Sequence, residues 1–224
     1  MDQYSKMFRF TGDFLSVSGK VALARKIKNT NSLSGISLKT QILYLIVYCA
    51  RYIDLFSIGG KWGRMRIYNQ IMKIVYISFQ VYLISLFYGS LKYTYSKKYD
   101  TFNIPIFLFV GGILSFVFKN DTFSLYSYVD EYLYTLSLIL ESLAILPQLA
   151  LCQDSGECEK LTAIYITLNG LYRLNYLMFF MISHFNGITA DTLMIVTSLI
   201  QSVLYADFFR VYFTSLQSKI PHIK

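Results

Sequence analysis

The chain has 224 residues, 54% of them hydrophobic and only 15% charged, whereas a soluble domain carries about a quarter charged residues. Together with a mean hydropathy of +0.43, this excludes a disordered chain, a collagen and a soluble coiled coil, and it points to a membrane protein. The net charge of +8 comes without a nucleic-acid motif, and three cysteines with two histidines give neither a disulfide framework nor a metal-ligand pattern, so no metal and no cofactor is expected.

A membrane-crossing helix needs about 20 mostly apolar residues. The first candidate, 8–27, is weakly apolar and carries Arg9, Asp13, Lys20 and Arg25. Asp13 and Lys20 break the apolar centre that a cleaved leader requires, so this stretch reads as a retained helix that leans on its neighbours. The runs 36–57, 67–89, 102–118, 126–151, 161–183 and 190–213 follow, giving seven spans. The expectation is an all-α membrane domain over 1–213 and a short cytosolic tail over 214–224.

Orientation follows from lysine and arginine in the short connections. With a lumenal amino terminus, the cytosolic side holds Arg25, Lys26, Lys28, Lys97, Lys98 and Lys219 among others, and outnumbers the lumenal side by about two to one. The connection 59–66 opposes this bias with three basic residues. The expected topology is amino terminus lumenal and carboxyl terminus cytosolic. Ala50–Asp54 late in span two and Ile145–Gln148 late in span five fall at equivalent places in two three-helix units joined by a linking helix. In such repeats, sites form near the midplane where helices are interrupted, and Pro147 supplies an interruption.

Charged groups inside a bilayer cost about 2.5–3.5 kcal/mol each on insertion scales, so they face a cavity or one another. Arg9 and Asp13, four apart, share one helix face and either neutralise each other or belong to a polar pocket. Arg51 and Asp54, three apart, present the same choice. Two such pairs on separate helices favour a pocket, and two guanidinium forks favour an anionic ligand. Lys20 and Lys73 lie nearer helix ends, where their stems can snorkel. Tyr172 and Tyr176 flank Arg173 and offer hydroxyls on rigid apolar bodies. Glu131, Tyr134, Leu138 and Glu141 follow one broad helix face. Glu141 is the candidate proton switch, because burial penalises its charged form; the alternative is a permanent pair with an arginine such as Arg173. Asp207 lies in the last span, near its cytosolic end. His184 and His222 stand outside the spans and no glycine-rich phosphate loop occurs, so an enzyme is not expected.

The segments Phe8–Asp13, Ser34–Ser37, Ala50–Phe56, Tyr99–Phe102, Glu141–Leu149 and Tyr205–Phe209 occur in this order. In them the chain resembles the KDEL receptor (ER lumen protein-retaining receptor) family over essentially its whole length; the runs Ala-Arg-Tyr-Ile-Asp-Leu-Phe and Glu-Ser-Leu-Ala-Ile-Leu-Pro-Gln-Leu are the most specific. The resemblance implies seven helices in a SWEET/PQ-loop-like inverted repeat and retrieval of escaped soluble proteins from Golgi to ER. The implied ligand is a carboxyl-terminal tetrapeptide of the xDEL type, bound from the lumen, with COPI coat machinery as the cytosolic partner. By the same resemblance Arg51 takes the terminal carboxylate, Arg9 an acidic side chain, and Asp54 and Glu131 surround the first signal residue. Tyr134, Tyr172 and Tyr176 line the pocket, and Asp207 and Lys219 serve trafficking. The chain departs from the family at Ser16, where a pH-sensing histidine is usual, near Ser183, where an arginine is usual, and at Tyr134 and Phe180, where tryptophans are usual. The rival reading is a SWEET- or PQ-loop-type transporter of a small solute, which shares the helices and Pro147-Gln148 but has no need of two buried arginines.

Overall fold

A computed structural model describes residues 3–56, 63–120, 124–155, 160–187 and 191–218. Among these residues the regular structure is entirely helical: α1 (Gln3–Thr30), α2 (Leu38–Arg51), α3 (Arg64–Tyr88), α4 (Ile104–Phe118), α5 (Leu125–Leu143), α6 (Leu146–Asp154), α7 (Lys160–Phe185) and α8 (Thr192–Ser218), with short 3-10 turns at Ile53–Phe56 and Lys92–Thr94. The α5–α6 pair forms a single apolar stretch, Tyr126–Asp154. The helices therefore correspond to the seven expected spans. Three stretches, Arg64–Tyr88, Tyr126–Asp154 and Thr192–Arg210, are long and apolar enough on their own to cross a bilayer, and Ile104–Phe118 is a shorter apolar helix. Helices α1 and α7 turn polar groups inward: Asp13, Ser16, Lys20 and Lys26 on α1, and Asn169, Arg173 and Ser183 on α7, are all buried.

The chain divides into two compact units, Met1–Thr30 with Cys152–Lys224, and Asn31–Leu151. They are not sequence halves. In the first, α1 packs along α7, and α7 along α8. Lipid tails are as apolar as leucine, so helix association inside a bilayer rests on close packing and hydrogen bonds, not on hydrophobic transfer. Helix α1 meets this requirement with a small-residue face: Ser5, Gly12, Ser16 and Gly19 are buried. A Cβ at Gly12 would stand 2.7 Å from the Tyr176 ring, so that ring occupies the space a side chain would take. Ser5 and Ser183 bridge the two helices at 3.2 Å.

In the second unit α2 packs on α3 and α5, and α4 on α5. Its α2–α3 contact is a tyrosine stack: Tyr44, Tyr48 and Tyr52 follow one another at helical spacing with ring centroids 6.2 and 5.8 Å apart, and Tyr76 of α3 stacks on Tyr48 at 5.6 Å. Gln80 of α3 donates to both the backbone and the side-chain oxygen of Gln41 at 2.9 and 2.8 Å, satisfying polar groups that are buried between the helices. The small Gly111 lets α4 approach Leu136 and Leu140 of α5.

The second span is shorter as a helix than the expected 36–57. Helix α2 has 14 residues, about 21 Å at 1.5 Å per residue, and the chain tightens into a 3-10 turn at Ile53–Phe56. Its start is fixed by Ser37, whose Oγ accepts from Thr40 N at 3.1 Å. Asp100, delivered by the α3–α4 loop, reinforces that start: its carboxylate accepts from Ser37 Oγ (2.9 Å), Lys39 N (3.2 Å) and Tyr95 Oη (2.5 Å). A carboxylate at a helix amino terminus also complements the helix dipole. Burial, followed by the hydrogen bond and the charge of Asp100, pushes the Tyr95 phenol well above its ordinary value.

The expected break in the fifth span lies at Ala144 and Ile145, where α5 stops and α6 starts with Pro147 as its second residue. Pro147 lacks the N–H a continuous helix would need. The following Gln148 is buried, and its side chain ties the break to the α1–α2 connection: Oε1 accepts from Ser37 N (2.9 Å) and Nε2 donates to Gly35 O (2.8 Å).

Candidate functional site

The sequence singles out ionisable and tyrosine side chains on both units, and each unit brings some of them together. In the second unit the centre is Arg51, the last residue of α2. Its side chain crosses to α5, where Nη1 stands 2.6 Å from Glu141 Oε2 and Nε donates to Ser137 Oγ at 3.0 Å. Ser137 and Glu141 are one turn apart, so a single helix face presents a hydroxyl and a carboxylate to one guanidinium. The Ser137 hydroxyl in turn donates to Tyr134 O at 2.6 Å. Only 3% of the Glu141 side chain and 18% of the Arg51 side chain are exposed. Such a pair is strongly coupled, because little water screens it.

This geometry bears on two pairings that the sequence left open. Arg51 and Asp54 are placed in different ion pairs: Asp54 sits in the 3-10 turn after α2, 54% exposed, and accepts from Lys73 Nζ at 2.6 Å. The reason is the early end of α2, since once the helix stops at Arg51, residues three apart no longer share a helical face. Lys73, the tenth residue of α3, therefore serves the Asp54 carboxylate instead of snorkelling at a helix end, and its ammonium also lies 5.7 Å from the Tyr52 ring centre. Glu141 does meet an arginine, as the alternative to a proton switch supposed, and that arginine is Arg51 from the same unit. Glu131, near the start of α5, is half-buried, with Asn120 Nδ2 3.5 Å from its Oε2.

In the first unit Asp13 and Tyr176 form the corresponding contact. The Tyr176 hydroxyl donates to Asp13 Oδ1 at 2.5 Å, joining α1 to α7. Asp13 is buried, and the Tyr176 hydroxyl gives it the hydrogen-bond partner that a buried polar group needs. Arg9, one turn before Asp13, places its guanidinium 5.9 Å from the Phe179 ring centre. Tyr172 packs edge-on against Tyr176, with ring centroids 5.5 Å apart, and the buried Arg173 guanidinium lies 5.4 Å from the Tyr172 ring. Tyr176 also meets Phe180 edge to face at 5.7 Å. Asp207 is exposed on α8, and Lys219 lies outside the described residues.

Two participants escape a reading of charge and spacing. Ser137 is one of many serines and has no charge to flag it; its position four residues before Glu141 was the available signal. Asp100 lies outside any span, in a segment quoted only for its likeness to a family, yet three donors converge on it.

Among the described residues the structure is helical with apolar spans, and Arg51 and the buried carboxylates of Glu141 and Asp13 are held by side chains on neighbouring helices; this is a membrane protein equipped to meet charged groups. The profile of the family described as ER lumen protein retaining receptor matches residues 32–183. Over 209 residues the chain is 42% identical to an ER lumen protein-retaining receptor of Dictyostelium discoideum, covering 92% of this chain and 93% of that protein. It is 37% identical to ER lumen protein-retaining receptor 2 of Bos taurus and 36% identical to that of Homo sapiens, each over 210 residues and 94% of both chains. The chain belongs to the ER lumen protein-retaining receptor family. It is a receptor of this class and not an enzyme, and nothing in these likenesses favours a small-solute transporter.

Proposed function

We propose that this chain is the Golgi-to-ER retrieval receptor for soluble ER proteins that carry a carboxyl-terminal xDEL-type signal. The observation that carries this reading is the Arg51 guanidinium, held on α5 by Ser137 and Glu141 in a chain of the retaining-receptor family. A guanidinium matches a carboxylate with two parallel hydrogen bonds and cannot be deprotonated, so it suits the terminal carboxylate of a peptide. Arg9 receives an acidic side chain of the signal. Asp54 and Glu131 select its first residue, and Tyr134, Tyr172 and Tyr176 supply walls and hydroxyls. The receptor spans the lipid bilayer over 1–213, with a lumenal amino terminus and the tail 214–224 in the cytosol. There Lys219, with Asp207 near the same side, engages the COPI coat once ligand is bound.

Glu141 is the proton switch in this reading. Its carboxylate already neutralises Arg51, and a peptide carboxylate must share or replace it. A proton on Glu141 removes the competing negative charge, so acid strengthens binding and a neutral compartment weakens it. The first signal residue and the pH response are where Ser16, Ser183 and Tyr134 set this chain apart from the pattern it resembles. The test is binding of xDEL-ended peptides with a free or an amidated terminus, at acidic and neutral pH. The free acid should bind much more tightly than the amide, and more tightly still in acid; equal binding of the two peptides would remove Arg51 from its role.

A further inference from the structure

Arg51 has a long, many-jointed side chain, whose rotamer freedom must be restrained before its guanidinium can be aimed. Two bonds to α5 restrain it, and the two differ in kind. The bond from Nη1 to Glu141 is between opposite charges, so any incoming carboxylate competes with it. The bond from Nε to Ser137 Oγ is to a neutral hydroxyl fixed on α5, so it needs no change of partner when one carboxylate replaces another at the Nη end of the guanidinium. The Ser137 hydroxyl hydrogen is itself committed to Tyr134 O at 2.6 Å, which leaves an oxygen lone pair for the Arg51 N–H. Ser137 is fully buried and lies one turn before Glu141.

From this arrangement we infer that Ser137 is the positioning residue for Arg51: it fixes the plane of the guanidinium through Nε, so that the fork stays aimed while the carboxylate on its other nitrogens changes from Glu141 to the ligand. Serine is not ionisable, so this anchor persists across the pH range over which Glu141 gains or loses a proton. The inference rests on the reading of Arg51 as the receiver of a terminal carboxylate, and it adds the residue that makes that reception directional.

The experiment measures affinities of the full-length receptor for matched free-acid and carboxyl-amidated xDEL peptides, in the parent, Ser137→Ala and Ser137→Thr. Loss of one hydrogen bond to a charged group should weaken free-acid binding by about tenfold in Ser137→Ala. Binding of the amide should stay where it is in the parent, and Ser137→Thr, which keeps the hydroxyl, should regain most of the difference. A structural role alone would lower both peptides together. Equal losses for both peptides, unchanged free-acid affinity in Ser137→Ala, or failure of threonine to restore it would each overturn the inference. Thermal unfolding of the same variants guards against misfolding, and Ser137→Cys, of similar size with a weak acceptor, replaces the alanine variant if that one unfolds. A parent receptor that fails to distinguish acid from amide would overturn the Arg51 reading itself, which is a different result from a discriminating parent whose discrimination ignores Ser137.

Discussion

Replacing Arg51 by methionine removes the cation from a pair whose carboxylate is almost fully withdrawn from water, with 3% of the Glu141 side chain exposed. Breaking a buried pair from one side costs about 3–5 kcal/mol, because the remaining charge is stranded. Arg51 keeps 18% exposure, so some water can reach the site, and about 3 kcal/mol is the reasonable expectation. For a chain of this length that is roughly a 6–12 °C fall in melting temperature. Methionine at both Arg51 and Glu141 should recover most of the loss, because no charge is left in the site, but it should not recover peptide binding. Acid should also reduce the deficit of the single variant, since a proton neutralises the stranded carboxylate, and should do little for the double variant. The assay is thermal unfolding in detergent at neutral and acidic pH, paired with peptide binding. If Arg51→Met melts with the parent, or the double variant melts below the single one, the pair does not have the energetic role its 2.6 Å geometry implies.

Three further outcomes can be checked separately. Gly12→Ala puts a methyl 2.7 Å from a Tyr176 ring whose hydroxyl is tied to Asp13, and should cost about 2 kcal/mol; in a Tyr176→Leu background the same change should add little, as a double-mutant cycle by thermal unfolding would reveal. Tyr95 has its phenol raised in the folded state, so the folded protein keeps this proton where the unfolded chain releases it: the contribution is complete below about pH 10 and is lost as pH rises further. Tyr95→Phe should lower stability by about 1.5–3 kcal/mol near neutrality and flatten the alkaline decline; an unchanged alkaline slope would show that other groups set it. Lys219→Ala should leave peptide affinity intact and hold the receptor in the Golgi when retrieval is followed by microscopy, with normal cycling counting against a coat contact there.

The helices were readable because apolar runs of about 20 residues have one interpretation in a membrane, and Pro147 marked its break through a missing donor. The ends were less readable. Composition favours continuing the second span to residue 57, whereas the helix stops at Arg51 because the backbone there turns into a tighter coil while the arginine side chain leaves for α5. Sequence spacing left a mutual Arg51–Asp54 pair open as one choice, and the structure does not take it, since the three-residue rule holds only while the helix continues. Tyr176 and Asp13 lie 163 residues apart, and no local pattern announces that they meet. Charge identified which residues needed partners, but the choice of partner depended on which helices pack together.

Asp100 follows Ser37 by 63 residues, so the start of α2 depends on chain that does not yet exist when α2 is made. At about 5–20 residues per second, synthesis delivers that carboxylate about 3–13 seconds later. The bilayer holds the body of α2 helical, but until then its amino-terminal end has the Ser37 hydroxyl on Thr40 N without the Asp100 carboxylate. Gln148, 111 residues after Ser37, arrives later still. Assembly of this unit is thus ordered by translation: α2 and α3 can meet early through Tyr48 and Tyr76, the α3–α4 loop then seals the start of α2, and Gln148 closes the arrangement last. A nascent chain stopped before residue 100 should leave the connection before α2, residues 31–37, open to proteases and to quality control, while one extended past residue 148 should not.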